Sequence, residues 1–344
     1  MKRALVIAVG ISLTAVACGG SAKQAGTPAS RTAAEPETAP APSVRPAGVV
    51  VPVGDTPEGL VVDDASGLAI AALRRPDSLA LVNLTGTHRI RLVATPGRAR
   101  HLRLLAPGGP LLFPAEDTDQ LIELALPAAT VISKVATRRQ PHDAVEAGGR
   151  IWITDELAGT VTSVGAGGRT LNAGLQPGGL AAAAGRVAVA DVRGNRLYVF
   201  DAKSQRQVAV LPAGAGPTHV VQVDATTVAV ADTRGDAVLL YALDGEPRMV
   251  ARLPLAGGPY GLAADPLRHH LWVALSGRNQ LVRLDIRGDA VKGDKVKGDE
   301  LVRSSVTLPT VQQPNSVAIS ATTGEVVVAG ATAAGFLQLI VDPH

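Results

Sequence analysis

In three stretches of the chain, hydrophobic and polar residues alternate almost without a break. They are RIWITDELAGTVTSV (150–164), RVAVADVRGNRLYVFD (186–201) and TVAVADTRGDAVLLYALD (227–244). A period of two predicts half-buried strands, and the Gly-Asn and Gly-Asp pairs in the last two predict hairpin turns. Each hairpin follows a Pro-x-x-aliphatic phrase. The phrase starts at Pro57, Pro141, Pro177, Pro217, Pro259 and Pro314, with a degenerate copy at Ala99. Successive starts lie 42, 42, 36, 40, 42 and 55 residues apart. Four short strands in about 40 residues is the period of a propeller blade. The sequence therefore predicts an all-β fold, a seven-bladed β-propeller over residues 48–344. The long last step is assigned to an insertion in blade six, RGDAVKGDKVKGDE (287–300), read as a solvated loop.

The ends of the chain predict how the ring closes. From Pro314 onward there is length for only three strands, whereas Val49–Val53 reads as an outer strand that belongs to no earlier blade. Pairing the two completes the last blade and removes an exposed sheet edge.

Residues 1–47 have a different character. Met1-Lys2-Arg3 is basic, and Ala4 to Ala17 carries no charge, a run too short to cross a bilayer as a helix. Residues 1–17 are read as a signal peptide. Ala15-Val16-Ala17-Cys18 followed by two glycines resembles the lipobox of bacterial lipoproteins. That resemblance implies cleavage before Cys18, its lipidation, and a membrane anchor on the extracytoplasmic face. Residues 18–47, rich in Pro and Ala with Val44 as their one β-branched aliphatic, are read as a disordered tether that packs against nothing.

Composition narrows the function classes. Hydrophobic residues make up 46% of the 344 and charged ones 18%, enough for a large core. The formal charge is +3, and Lys2 and Arg3 lie in the leader, so the body is nearly neutral and nucleic acid is not an expected partner. Three Phe, two Trp and three Tyr are too few for a base-stacking platform. Cys18 is the only cysteine, which leaves the body without disulfides. No phosphate loop, serine elbow, His-Glu-x-x-His or Cys-x-x-Cys occurs.

Candidate chemistry follows from the repeat register. In a propeller the loop leading into the first strand of each blade opens at one mouth of the axial channel. The two residues after each anchor then ring that mouth: Glu58-Gly59, Arg100-His101, His142-Asp143, Gly178-Gly179, Thr218-His219, Tyr260-Gly261 and Asn315-Ser316. The candidate ligand-binding residues are Glu58, His101, His142, His219, Tyr260 and Asn315. Glu156, just after the second strand of blade three, makes the one plausible acid/base pair with His142. Asp155, Asp191 and Asp232 close second strands and are read as turn acceptors, and Trp152 and Trp272 as core. Carboxylates near the axis are few.

The Pro-x-x-Val, Val-x-Val-Ala-Asp and Gly-Asn-x-Leu grammar of residues 49–344 resembles the YVTN/NHL type of propeller repeat. Its motifs specify blade construction. One blade, PHDAVEAGGRIWITDE (141–156), also resembles the streptogramin (virginiamycin B) lyases. That likeness implies an enzyme acting at the mouth, a lyase or lactonase with a divalent metal, in which His142 and Glu156 are catalytic. The favoured expectation is an exported envelope lipoprotein whose propeller binds a protein partner or a small ligand at the mouth, with no cofactor. Because the lyase-like wording occupies one blade, the enzyme stands as the alternative.

Overall fold

A computed structural model describes residues 32–286 and 301–342. The predicted leader, the predicted lipidation site Cys18 and the insertion 287–300 lie outside these residues. Among those described, no helix is long and apolar enough to cross a membrane.

The chain forms seven four-stranded antiparallel sheets. Six are built from consecutive strands over residues 60–94, 103–136, 141–172, 177–212, 217–254 and 259–309. The seventh joins Pro314–Ile319, Val326–Gly330 and Phe336–Ile340 to Val49–Pro52, which pairs as the outer strand from Val49↔Leu339 to Pro52↔Phe336. Seven blades and closure by the N-terminal strand are as the alternation and the strand arithmetic predicted.

Apolar side chains lie between neighbouring blades, and seven hydrophobic clusters match the seven contacts round the ring. The closing contact packs Val51, Val53, Leu60 and Ala71 against Val327, Ala329 and Leu337. Trp152 and Trp272 are fully buried, each between two blades. The smallest cluster, around Leu112, Leu121, Ala144 and Ile153, lies between blades two and three. Polar groups of the site described below sit at that same contact.

The recurring proline phrase has a structural cause. In blades three to six the ladder slips between the anchor proline and the aliphatic residue three places on, as in Pro141↔Asp155 followed by Ala144↔Ile153. One extra residue on the first strand is a β-bulge, and proline, lacking an N–H, is tolerated there. The bulge takes the two intervening residues out of the ladder, so their side chains are re-aimed to the axis.

One expectation is overturned. Residues 32–47 do not hang free: Ala34 and Ala39 are buried, and the segment is tied to blades five, six and seven. Order in a segment this poor in apolar residues does not require an apolar core of its own. Here the order comes from side-chain amides and hydroxyls of the propeller that pair with the segment's own backbone.

Candidate functional site

All seven candidate residues line one cavity. Glu58, His101, His142, Glu156, His219, Tyr260 and Asn315 face a space of about 170 Å³ at the mouth, joined by Arg74, Arg100 and, from the N-terminal segment, Glu35. A smaller space of about 60 Å³ follows, lined by Arg103 and again by His101 and His219, which therefore divide the two.

Three imidazoles and a phenol form a chain. Ring centroids lie 4.9 Å apart for His101 and His142, 4.8 Å for His101 and His219, and 4.5 Å for His219 and Tyr260. His142 Nδ1 lies 3.0 Å from Glu156 Oε2. Glu156 also accepts from Gln140 at 3.0 Å and from Gln176 at 2.6 Å. His101 faces Asp143 across 3.4 Å, and Asp143 accepts the backbone N–H groups of Ala144 and Leu180.

Environment pulls these groups apart. Burial disfavours the His142 cation, but the Glu156 hydrogen bond and the charges of Glu156 and Glu116 outweigh it and raise the imidazole above its ordinary range. Burial likewise opposes ionisation of Glu156, yet the His142 contact, Gln176 and Arg100 hold its carboxyl at about 2. His101 and His219 go the other way. Burial, with His142 nearby, drives both well below the usual histidine range, so they are neutral. Burial pushes Glu116 and Tyr260 up.

Glu116 and Arg74 are the residues that sequence reasoning missed. Glu116 lies 3.8 Å from His142 and is flanked by Arg100 at 3.2 Å, Arg98 at 3.5 Å and Arg74 at 3.7 Å; Arg74 also pairs with Glu58. The missed signal was available. Glu156 is the residue directly after the second strand of blade three, and Glu116 directly follows Leu111–Ala115, the second strand of blade two. Both lie three residues beyond the second-strand partner of the anchor phrase's aliphatic residue. Applying that register to every blade gives a second ring of Arg74, Glu116, Glu156, Val192, Thr233, Ser276 and Ala331. Only its first three members are charged. The expectation of few carboxylates at the axis is thus corrected: Glu58, Glu116, Glu156 and Asp143 all lie at or beside the cavity.

One ligand atom from each of Glu116, His142 and Glu156 falls within 4.8 Å of the others, a triad that could in principle hold a cation. The surroundings do not suit one. His142 Nδ1 is engaged by Glu156, and three guanidinium groups flank Glu116. The arrangement is that of an ion-pair network in which cationic side chains already face both carboxylates. Nδ1 of His219 and Oδ1 of Asn315 are buried without a hydrogen-bond partner; Glu116 Oε1 and the Nε atoms of Arg74 and Arg100 also lack one, but these residues are ion-paired.

The three aspartates behave as turn acceptors. Asp191 accepts the N–H groups of Leu175, Gln176 and Gly194, and Asp232 those of Ala215, Gly216 and Gly235. Asp155 accepts the Arg138 N–H and two threonine hydroxyls. They pin the loops that deliver the mouth residues.

No family model and no curated protein matches the chain. Solved structures do. Hydrazine synthase of Kuenenia stuttgartiensis aligns at 16% identity over 84% of this chain and 97% of that one, with a TM-score of 0.71. Virginiamycin B lyase from Staphylococcus aureus aligns at 14% identity over 86% and 99%, TM-score 0.66. A chain of the Mitotic Checkpoint Complex aligns at 13% identity over 91% and 99%, TM-score 0.70. At these identities the likeness is one of fold, and the propeller neighbours include a lyase as well as a member of a protein assembly.

Proposed function

We propose that the protein is an extracytoplasmic, lipid-anchored binding module of the YVTN/NHL kind whose propeller mouth holds a small polar ligand. The observation that carries this reading is that His219 and Asn315 line the cavity while each holds a polar atom, Nδ1 and Oδ1, buried without a hydrogen-bond partner. A buried polar atom without a partner destabilises the fold by about 1–3 kcal/mol. A ligand bearing one donor and one acceptor relieves both once the two side chains turn to meet it. The neutral state of His219 suits this role, since a neutral ring can accept or donate. Titration calorimetry against a panel of short hydroxy- and keto-acids and simple sugars tests it. At least one member should bind, and His219→Ala and Asn315→Ala should each weaken it tenfold or more with the melting temperature retained. If nothing in the panel binds, or binding ignores both substitutions, the reading fails.

A second reading is favoured by the split titration of the histidines. An imidazolium at His142, backed by Glu156, beside neutral His101 and His219 is a general acid next to candidate bases. A lyase or lactonase of this kind loses about 10²–10⁴-fold in turnover on His142→Ala while remaining folded. Lactones and cyclic depsipeptides are the substrates to assay. The arginines around Glu116 favour a version of this chemistry that uses His142 and its neighbours directly over one routed through a divalent ion.

A further inference from the structure

The segment before the closing strand is bound as a ligand would be. Glu37 N–H donates to Ser276 Oγ at 2.9 Å, and Ala39 N–H donates to the side-chain carbonyl of Gln313 at 3.1 Å. The amide nitrogen of that same Gln313 donates to the Glu37 carbonyl. Gln312 donates to the Ala39 carbonyl at 2.9 Å and Asn279 to the Pro40 carbonyl at 2.7 Å. Asn279 Oδ1 in turn accepts the Gln313 N–H at 2.9 Å, which holds the two side chains in register. Residues 37 and 39 are paired and residue 38 points away, the i, i+2 rhythm of a strand meeting a sheet edge. Side-chain amides take the place of the second strand. Pro36 and Pro40 have no N–H to satisfy, so a proline-punctuated segment fits where an ordinary strand would leave donors unpaired.

The propeller surface is also shaped to this segment. A Cβ at Gly277 would stand 2.4 Å from Glu37 Oε2, one at Gly258 would stand 2.8 Å from Glu37 Cδ, and one at Gly216 would stand 2.9 Å from Ala34 Cβ. Gly258 needs glycine for its backbone, with φ of +65°, but Gly216 and Gly277 are not in the left-handed region. At Gly277 the nearest obstacle is the segment itself, and at Gly216 the segment and the Arg234 side chain, at 3.0 Å, crowd the position together. In blade five the position equivalent to Gly277 is Arg234, which instead donates to the Thr32 carbonyl.

We propose that the loops of blades five, six and seven form a peptide-binding groove, selective for an extended segment carrying proline and glutamate, which residues 34–40 of this chain fill in cis. It is made by Ser276, Asn279, Gln312 and Gln313 with the glycine hollows, adjoins the mouth cavity, and does not depend on the ligand-binding reading above. Ala33, Ala34, Glu35 and Pro36 also line that cavity, with Glu35 3.8 Å from Arg100, so filling the groove also covers the mouth.

A fluorescent peptide of residues 32–42, TAAEPETAPAP, added to the full chain tests the groove. The resident segment should keep its binding to wild type weak. Ala39→Pro removes the N–H donated to Gln313 and should loosen the resident, raising peptide affinity at least tenfold. Adding Gln313→Ala to that variant should abolish the gain, since the groove has then lost its paired amide. Hydrogen exchange of wild type gives an independent readout: the Glu37 and Ala39 amides should be protected. The proposal is overturned if Ala39→Pro brings no gain in peptide binding, if Gln313→Ala leaves that gain in place, or if the two amides exchange at the rate of free peptide.

Discussion

His142, near the start of Pro141–Ala147, and Glu156, just past the end of Arg150–Asp155, sit at the same end of an antiparallel strand pair. They meet at 3.0 Å through Nδ1 and Oε2, both buried. The bulge after Pro141 aims the imidazole at the axis, and the turn after Asp155 brings the carboxylate to it. Gln140 and Gln176 donate to Glu156 as well. Glu156→Gln keeps the shape and removes the charge. It should destabilise by about 3 kcal/mol, the low end for breaking a buried pair, because His142 can release its proton in response. Chemical denaturation at neutral pH measures this, and an unchanged midpoint would show that the pair contributes nothing.

The pH dependence of stability has two opposed parts. Glu156 is held near 2, so its contribution is present above the ordinary carboxylate range and lost as pH falls toward 2. His142 is raised, so its contribution is present below the ordinary histidine range and lost as pH climbs through the raised value. His101 and His219 are depressed: they favour the fold above the ordinary histidine range and weaken it as pH falls from there. Between about pH 7 and 5 the last effect is the one that changes sharply. The melting temperature should fall across that window, and His101→Asn with His219→Asn should flatten the slope. An equally steep slope in the double variant would place the titration elsewhere.

Asp232 carries a different kind of load, holding three backbone N–H groups of the loops around His219. Asp232→Ala orphans all three and should destabilise by about 1–3 kcal/mol or more, while Asp232→Asn retains an acceptor and loses less. Gly235→Ala is a steric control, since its Cβ would stand 1.8 Å from Asp232 Oδ2. It should destabilise comparably even though no hydrogen-bonding group is removed. Melting curves of the three variants rank them.

The contrast between what was legible and what was not has a physical origin. Blade number, strand pairing and closure follow from local periodicity and the spacing of a bulge-forming phrase, all of which are written in consecutive residues. The ring of Glu58, His101, His142, His219, Tyr260 and Asn315 was legible for the same reason: one register, repeated, fixes which side chains share a mouth. Glu116 and Arg74 obey a second register that only Glu156 had drawn attention to. Residues 32–47 were illegible because their order resides in their partners. Nothing in a proline- and alanine-rich run says that Gln313, some 270 residues on, will pair with the backbone of Glu37 and Ala39.

The proposed lipid anchor rests on Ala15-Val16-Ala17-Cys18 alone. Cys18→Ala removes the thiol that lipidation requires and should move the protein from the membrane fraction to the soluble one. Retention in the membrane fraction as firm as that of wild type would sink the lipoprotein reading.

Truncation separates the N-terminal segment from the strand that closes the ring. Removing residues through 47 strips the segment from the groove but leaves Val49–Pro52 on the seventh sheet, with Val51 packed against Leu337 and its neighbours. What is lost is a set of hydrogen bonds, each worth about 0.5–1.5 kcal/mol and partly replaced by water, together with the burial of two small side chains, Ala34 and Ala39. Removing residues through 54 takes Val51 and Val53 out of the closing cluster and leaves Phe336–Ile340 as an unpaired edge. Burial of two valines accounts for about 3–6 kcal/mol, and an exposed apolar edge recruits other chains. The shorter truncation should therefore melt within a few degrees of wild type and remain monodisperse. The longer one should melt markedly lower and aggregate on heating, as read by calorimetry and light scattering. If the two behave alike, the N-terminal strand is not what closes the ring.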